Sequence, residues 1–184
     1  MTTPIESVCV YCGSRHGDDL AFTREARALG RGLAEAGLRL VYGAGDVGLM
    51  GETARAAIAA GGRTLGVIPR HLLAMEVGAP DLTQTVVTET MHERKKLMFF
   101  NADAVVALPG GAGTLDEVFE VLTWRQIGLH AKPLIVMNVD GYWDPLLALV
   151  DHLIARGFAD ASLRAYLSVV ATADEALGRL RAAA

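Results

Sequence analysis

Long apolar runs and an excess of positive charge are missing from this chain and cysteines are few, and each shortage removes a class of function. No stretch of its 184 residues approaches the roughly 18 consecutive apolar residues that a membrane helix needs. Residues 1–7 have neither the basic start nor the apolar segment of a secretory leader. A cytoplasmic location and no membrane partner are therefore expected. The formal net charge is -4, from 17 Lys and Arg against 21 Asp and Glu, which argues against a nucleic-acid partner held by a strong positive field. The two cysteines, Cys9 and Cys12, form a lone Cys-x-x-Cys. They fall within and just after the apolar run Val8-Cys9-Val10-Tyr11, whereas a redox pair sits at a helix N-terminus and a zinc site needs further ligands nearby, so they read as core-lining thiols.

Other chemistries are missing as well. The histidines His16, His71, His92, His130 and His152 have no metal-ligand spacing, and no metal is expected. There is no Gly-x-Ser-x-Gly elbow for a serine nucleophile, and no glycine turn ends in the Gly-Lys-Ser/Thr of a nucleotide-hydrolysing P-loop.

What is present is a 52% hydrophobic sequence in which strand-like and helix-like patterns alternate. Apolar runs bounded by turn residues predict strands over 7–11, 39–42, 63–68, 83–88, 104–108, 134–138 and 167–170. Helical spacing predicts helices over 18–36, 48–60, 91–101, 114–127, 143–156 and 173–181. The alternation implies one α/β domain over 1–184, Rossmann-like and doubly wound, with a mainly parallel sheet, helices on both faces and ligands beyond the C-terminal strand ends. Residues 1–6 are expected to be flexible. The connection 71–81 is long enough to cover a site.

Three glycine turns follow predicted strands. The most informative is Pro109-Gly110-Gly111-Ala112-Gly113-Thr114, which runs into Leu115-Asp116-Glu117-Val118-Phe119. With no Cβ on three of its residues, a ligand can approach the main chain, and the positive end of a helix dipole favours an anion such as phosphate. Thr114 and Glu117 also have the spacing of a helix-capping box. Capping accounts for those two residues but not for three glycines in four positions, so the phosphate reading is preferred. The second turn, Gly43-Ala44-Gly45-Asp46-Val47-Gly48, matches Gly-x-Gly-x-x-Gly, but it follows the second strand and no acidic residue lies between Thr53 and Met75 to hold a ribose. A nicotinamide dinucleotide is therefore disfavoured. The third is Gly13-Ser14. Met91-His92-Glu93-Arg94-Lys95-Lys96 opens a predicted helix with three cations, a poor arrangement against the dipole unless an anionic ligand lies near; the planar fork of Arg94 suits phosphate or ribose oxygens.

These motifs, together with Thr123-Trp124, Lys132-Pro133, Asn138-Val139-Asp140-Gly141-Tyr142 and Gly157-Phe158, resemble the LOG ("lonely guy") family of cytokinin riboside 5'-monophosphate phosphoribohydrolases, many of them once labelled possible lysine decarboxylases. The similarity spans nearly the whole chain. It implies hydrolysis of the N-glycosidic bond of adenosine-type 5'-monophosphates, including N6-substituted ones, to free base and ribose 5-phosphate, with no cofactor. By position, Glu76, Arg94, Lys95, the turn Gly110, Gly111, Ala112, Gly113, Thr114, Leu115, Asp116 and Glu117, and Thr123 match substrate-contacting residues, and Arg94 and Glu117 match the pair regarded as catalytic. Glu117 is expected to be ionised, under the influence of the helix N-terminus and nearby cations. A homodimer is implied too, and Trp124, Tyr142, Trp143 and Phe158 are aromatics of the kind found at interfaces. Ala44 departs from the family, where many members have glycine; any position with negative φ would accept it. A nucleotide-binding module without turnover is the alternative, though a silent relative would be expected to lose Glu117 or Arg94. A pyridoxal phosphate decarboxylase is disfavoured, since only Lys95, Lys96 and Lys132 exist and none has an evident partner for the pyridine nitrogen.

Overall fold

Seven segments form a single sheet. The computed structural model describes residues 4–73 and 82–183. Its strands are β1 (Ser7–Tyr11), β2 (Arg39–Tyr42), β3 (Thr64–Pro69), β4 (Gln84–Thr88), β5 (Ala104–Ala107), β6 (Leu134–Met137) and β7 (Leu167–Val170). They lie in the order β4-β3-β2-β1-β5-β6-β7 and every neighbouring pair is parallel. Strands β1, β3, β5 and β6 are buried along their whole length, whereas β4 at one edge is largely exposed. The helices are α1 (Leu20–Glu35), α2 (Gly48–Ala59), α3 (Arg70–Leu73), α4 (Met91–Phe100), α5 (Ala112–Gln126), α6 (Asp144–Ala155), α7 (Ser162–Ala165) and α8 (Ala173–Ala183), with a 3₁₀ turn at Val139–Gly141.

The period-two alternation of side chains divides the core into two layers. Val8, Val10, Leu40, Tyr42, Val106 and Leu108 pack with Leu29 and Leu33 of α1, Leu49 and Ala54 of α2, and Leu177 and Leu180 of α8. Cys9, Tyr11, Val41, Val105 and Ala107 face the other way, onto Met98 and Phe99 of α4, Val118 and Val121 of α5, Leu146 and Val150 of α6, and Leu163 of α7. Both cysteines are free and buried, and burial raises their thiol pKa values, consistent with packing residues.

The order of strands reverses at β1. Chain leaving β1 crosses to β2 on one side, while β5 pairs on its other side, which opens a crevice past the C-terminal ends of β1 and β5. The turns after these strands are tied directly: Leu108 N–H donates to the Tyr11 carbonyl and Gly13 N–H to the Pro109 carbonyl, each at 2.9 Å.

Ordered contacts begin earlier than expected at the N-terminus. Ile5 is buried in the core, and the N–H groups of Glu6 and Ser7 both donate to the Asp103 carboxylate at 2.9 Å. The flexibility expected for 1–6 thus does not extend to residues 5 and 6, and 1–3 lie outside the described residues. No helix among the described residues is long and apolar enough to cross a membrane.

Candidate active site

A cleft of about 490 Å³ opens at the strand-order reversal. Residues 12–18 and Phe22 line one side, and the turn from Pro109 to Thr114 the other; Arg94, Lys95, Asp116 and Glu117 supply charge, and Leu49, Met50, Met91 and Tyr142 supply apolar wall.

The turn from Gly110 to Thr114 leaves backbone N–H groups open at the cleft. Helix α5 begins at Ala112, its N-cap is Gly111, and no side chain caps it. Among the described residues, the N–H groups of Gly111, Ala112, Gly113 and Thr114 donate to no backbone acceptor, so orphan donors gather beside the cleft. The capping-box alternative for Thr114 and Glu117 is therefore wrong, because both lie inside the helix. Close packing explains Gly110: a Cβ there would collide with Thr114 and press on the Gly13 nitrogen.

A capping box does exist, one helix earlier. The Thr90 hydroxyl accepts from Glu93 N–H at 3.2 Å, and the Glu93 carboxylate accepts from the Thr90 and Glu89 N–H groups. Glu93 offsets the charge at this helix start, so the following cations conflict with the dipole less than the bare sequence suggests. Arg94 and Lys95 turn inward and are buried, whereas Lys96 is exposed.

The Arg94 guanidinium lies along the C-terminal edge of the sheet. Its Nε donates to the Val67 carbonyl at 3.1 Å and Nη2 to the Gly43 carbonyl at 3.2 Å, while Nη1 stands 3.8 Å from Glu117 Oε1. This explains the second glycine turn. A Cβ on Gly43 would collide with Arg94, and one on Gly48 would collide with the backbone of residues 14 and 15. The first N–H groups of α2 are already spent, Leu49 N–H on the Arg15 carbonyl at 3.4 Å and Met50 N–H on the Gly13 carbonyl at 3.3 Å. The Gly-x-Gly-x-x-Gly pattern thus seats an arginine and packs a loop rather than holding a dinucleotide. Ala44 in this turn has φ of 62°, outside the negative-φ region that alanine accepts readily. It adopts the left-handed conformation that a glycine takes without strain.

Burial dominates Glu117. Desolvation pushes its carboxyl up to about 7, and the nearby Arg94 charge recovers only part of the shift. The sequence-based expectation of a securely ionised carboxylate is corrected accordingly: Arg94 has its best-aligned donors on two carbonyls and meets Glu117 only at 3.8 Å. Lys95 behaves oppositely. Burial alone would lower its pKa, but Asp116 at 2.9 Å and Glu120 at 3.3 Å outweigh burial and raise it.

A family model described as "Possible lysine decarboxylase" matches residues 50–180. "Probable cytokinin riboside 5'-monophosphate phosphoribohydrolase LOG4" of Oryza sativa subsp. japonica is 44% identical over 181 residues, covering 98% of this chain and 79% of its own. "Cytokinin riboside 5'-monophosphate phosphoribohydrolase" of Rhodococcoides fascians is 42% identical over 177 residues, covering 96% and 89%. The chain belongs to the LOG family. Two solved structures share the fold of this LOG-family chain: the molybdenum cofactor carrier protein of Chlamydomonas reinhardtii (TM-score 0.72, 23% identity, 98% of both chains) and the structural-genomics target TM1055 (TM-score 0.73, 26% identity, 96% and 99%).

Of the residues that the LOG resemblance singled out, Arg94, Lys95, Gly110, Gly111, Ala112, Gly113, Thr114, Asp116 and Glu117 line one cleft. Leu115 is half-buried and packs on the core beneath. Thr123 is exposed on α5 and does not line this cleft. Six residues from Glu117, it lies roughly 120° around the helix from it. Glu76 lies outside the described residues. Arg15, His16, Asp18 and Phe22, to which the sequence assigns no role beyond the nearby turn at Gly13-Ser14, also line the cleft, as does Tyr142, which the sequence places among interface aromatics. Two of the three lysines keep structural partners: Lys95 holds two carboxylates, and Lys132 donates to the carbonyls of Phe99 and Ala102 at 2.7 and 2.6 Å, closing the end of α4. Neither arrangement presents a free amine for a Schiff base.

Proposed function

We propose that this chain hydrolyses the N-glycosidic bond of adenosine-type 5'-monophosphates, including N6-substituted ones, releasing free cytokinin or adenine base and ribose 5-phosphate. The observation that carries the reading is the pairing, in one cleft, of an uncapped helix N-terminus with a buried carboxyl and guanidinium, Glu117 and Arg94, in a chain whose relatives bear that activity in their names.

Each part has a physical task. The N–H groups from Gly111 to Thr114 bind the 5'-phosphate, and this remote binding energy orients the ribose at its reacting carbon. Glu117, poised at about 7, takes a proton from water. The water oxygen bonds to the anomeric carbon and keeps one proton as the new hydroxyl, the bond to the base nitrogen breaks, and the proton taken by Glu117 passes to the departing base, which restores the carboxylate. Positive charge on the sugar in the oxocarbenium-like transition state is met by the same carboxylate. An arginine guanidinium keeps its proton in proteins, so Arg94 is no acid; held by the Val67 and Gly43 carbonyls, it orients the nucleotide and stabilises the departing base.

The chain also works as a homodimer in this reading. Supporting it is an exposed apolar patch at the ends of α4 and α5, formed by Phe100, Ile127 and Leu129 with Leu97 beside them. Thr123, exposed near the same helix end and away from this chain's cleft, would meet the cleft of a second copy in this reading. The aromatics named from sequence divide differently: Trp143 is buried, Tyr142 lines the cleft, Trp124 packs on Phe99, and Phe158 is exposed.

The test is incubation with AMP and with an N6-prenylated analogue, scoring free base and ribose 5-phosphate together. Stoichiometric appearance of both supports hydrolysis. Tight binding with no product favours the module without turnover.

A further inference from the structure

The loop after β6 spends two left-handed residues on placing one side chain. Asp140 has φ of 48° and Gly141 of 75°, and a non-glycine residue is rarely held there without cause. Asn138 braces the turn from inside: its Oδ1 accepts from Trp143 N–H at 2.6 Å and its Nδ2 donates to Asp144 Oδ1 at 2.8 Å. The product of this bracing is Tyr142. Its ring is fixed edge-on between Phe22 and Trp143, with centroids 5.3 and 4.8 Å away, and its hydroxyl donates to the Gly110 carbonyl at 2.7 Å.

That carbonyl is the decisive acceptor. Gly110 stands four residues before Thr114, so its oxygen is the natural partner for the Thr114 N–H if α5 were to wind back by one residue. Instead the helix starts at Ala112, the carbonyl goes to Tyr142, and the Thr114 N–H has no backbone acceptor among the described residues. Because a trans peptide points its C=O and N–H in opposite directions, anchoring the Gly110 oxygen also fixes the direction of the Gly111 N–H.

We propose that Tyr142 is a positioning residue for the phosphate turn: its hydroxyl holds the Gly110 carbonyl out of α5, so that the turn's N–H groups stay open to the substrate's 5'-phosphate. The proposal rests on the reading of that turn as the phosphate cradle. Tyr142 touches the turn and acts through it, which separates it from Arg94 and Glu117. The ring contributes cleft wall as well, and the hydroxyl's part must be isolated from that.

Tyr142→Phe removes the hydroxyl and keeps the ring; Tyr142→Leu removes both. Calorimetry with ribose 5-phosphate, ribose and adenosine is combined with steady-state kinetics on AMP. Tyr142→Phe should weaken ribose 5-phosphate by about tenfold, the scale of one hydrogen bond, leave adenosine binding unchanged, and raise KM for AMP more than it lowers kcat. Tyr142→Leu should lose at least as much. Wild-type affinity for ribose 5-phosphate in Tyr142→Phe, or a loss confined to Tyr142→Leu, overturns the proposal, as does an equal loss for adenosine. If the wild-type protein binds ribose 5-phosphate no better than ribose, the cradle reading itself fails and the proposal falls with it.

Discussion

Glu117 is where stability and activity pull apart. Its carboxyl is raised by burial from the ordinary carboxylate range to about 7, so between those two values the unfolded chain ionises while the folded one does not. Stability contributed at this position therefore falls as pH rises through that window, and the full penalty applies above about 7. Glu117→Gln keeps the shape and removes the titration. It should be the more stable protein at pH 8, by up to an order of 3 kcal/mol, with little difference near pH 4, as thermal unfolding at the two pH values would show. The same substitution should lower kcat by about a hundredfold or more, while affinity for ribose 5-phosphate changes little. The wild-type kcat/KM should rise with pH through about 7, because the ionised form is the base, and the variant should lack that limb. A variant that is less stable at every pH yet fully active would mark Glu117 as a packing residue only.

At the scale of elements, the glycine turn after β2 and helix α4 act as one unit. Gly43 leaves the space into which the Arg94 guanidinium fits, and its carbonyl accepts from that guanidinium. Gly43→Ala should therefore expel the arginine without unfolding the chain, lowering turnover at least tenfold. Arg94→Ala added in that background should cost little more, since contacting residues that act together are non-additive. Additive losses in the double-mutant cycle would uncouple the two. This coupling also shows what was legible beforehand. All seven strands and six of the helices follow from apolar runs and helical spacing, which report burial directly. The short α3, α7 and the 3₁₀ turn carry no such period, being fixed by tertiary contacts instead. The turn from Pro109 to Thr114 was readable because three glycines in four positions need a reason. The positive φ of Ala44 was not, since alanine itself gives no sign of it, and neither was the raised carboxyl of Glu117, because desolvation depends on what packs around it. Tyr142 looked like an interface aromatic until its hydroxyl was seen on Gly110.

At the scale of the whole molecule, three of the large exposed apolar side chains fall at the ends of α4 and α5. Phe100, Ile127 and Leu129 are each more than 60% exposed, and their sequence neighbours form a well-knit base in which Phe99 meets Phe100, Trp124 and His130 edge-on and Lys132 lies over the Phe99 ring at 4.1 Å. Rigid support beneath a water-exposed apolar patch is what a two-fold interface needs, since little ordering remains to be done when copies meet. The patch lies at the C-terminal ends of α4 and α5, the two helices whose N-terminal halves carry Arg94, Lys95 and Glu117, so association would brace the site from behind. Light scattering of the wild-type protein at micromolar concentration should give about twice the 19.5 kDa chain mass. Ile127→Asp and Phe100→Asp should shift it towards the monomer, because two copies of the new charge would meet across the axis. Activity should fall with the loss of mass and recover with protein concentration. Unchanged mass in both variants would move the interface elsewhere, and a fully active monomer would show that one chain completes its own site.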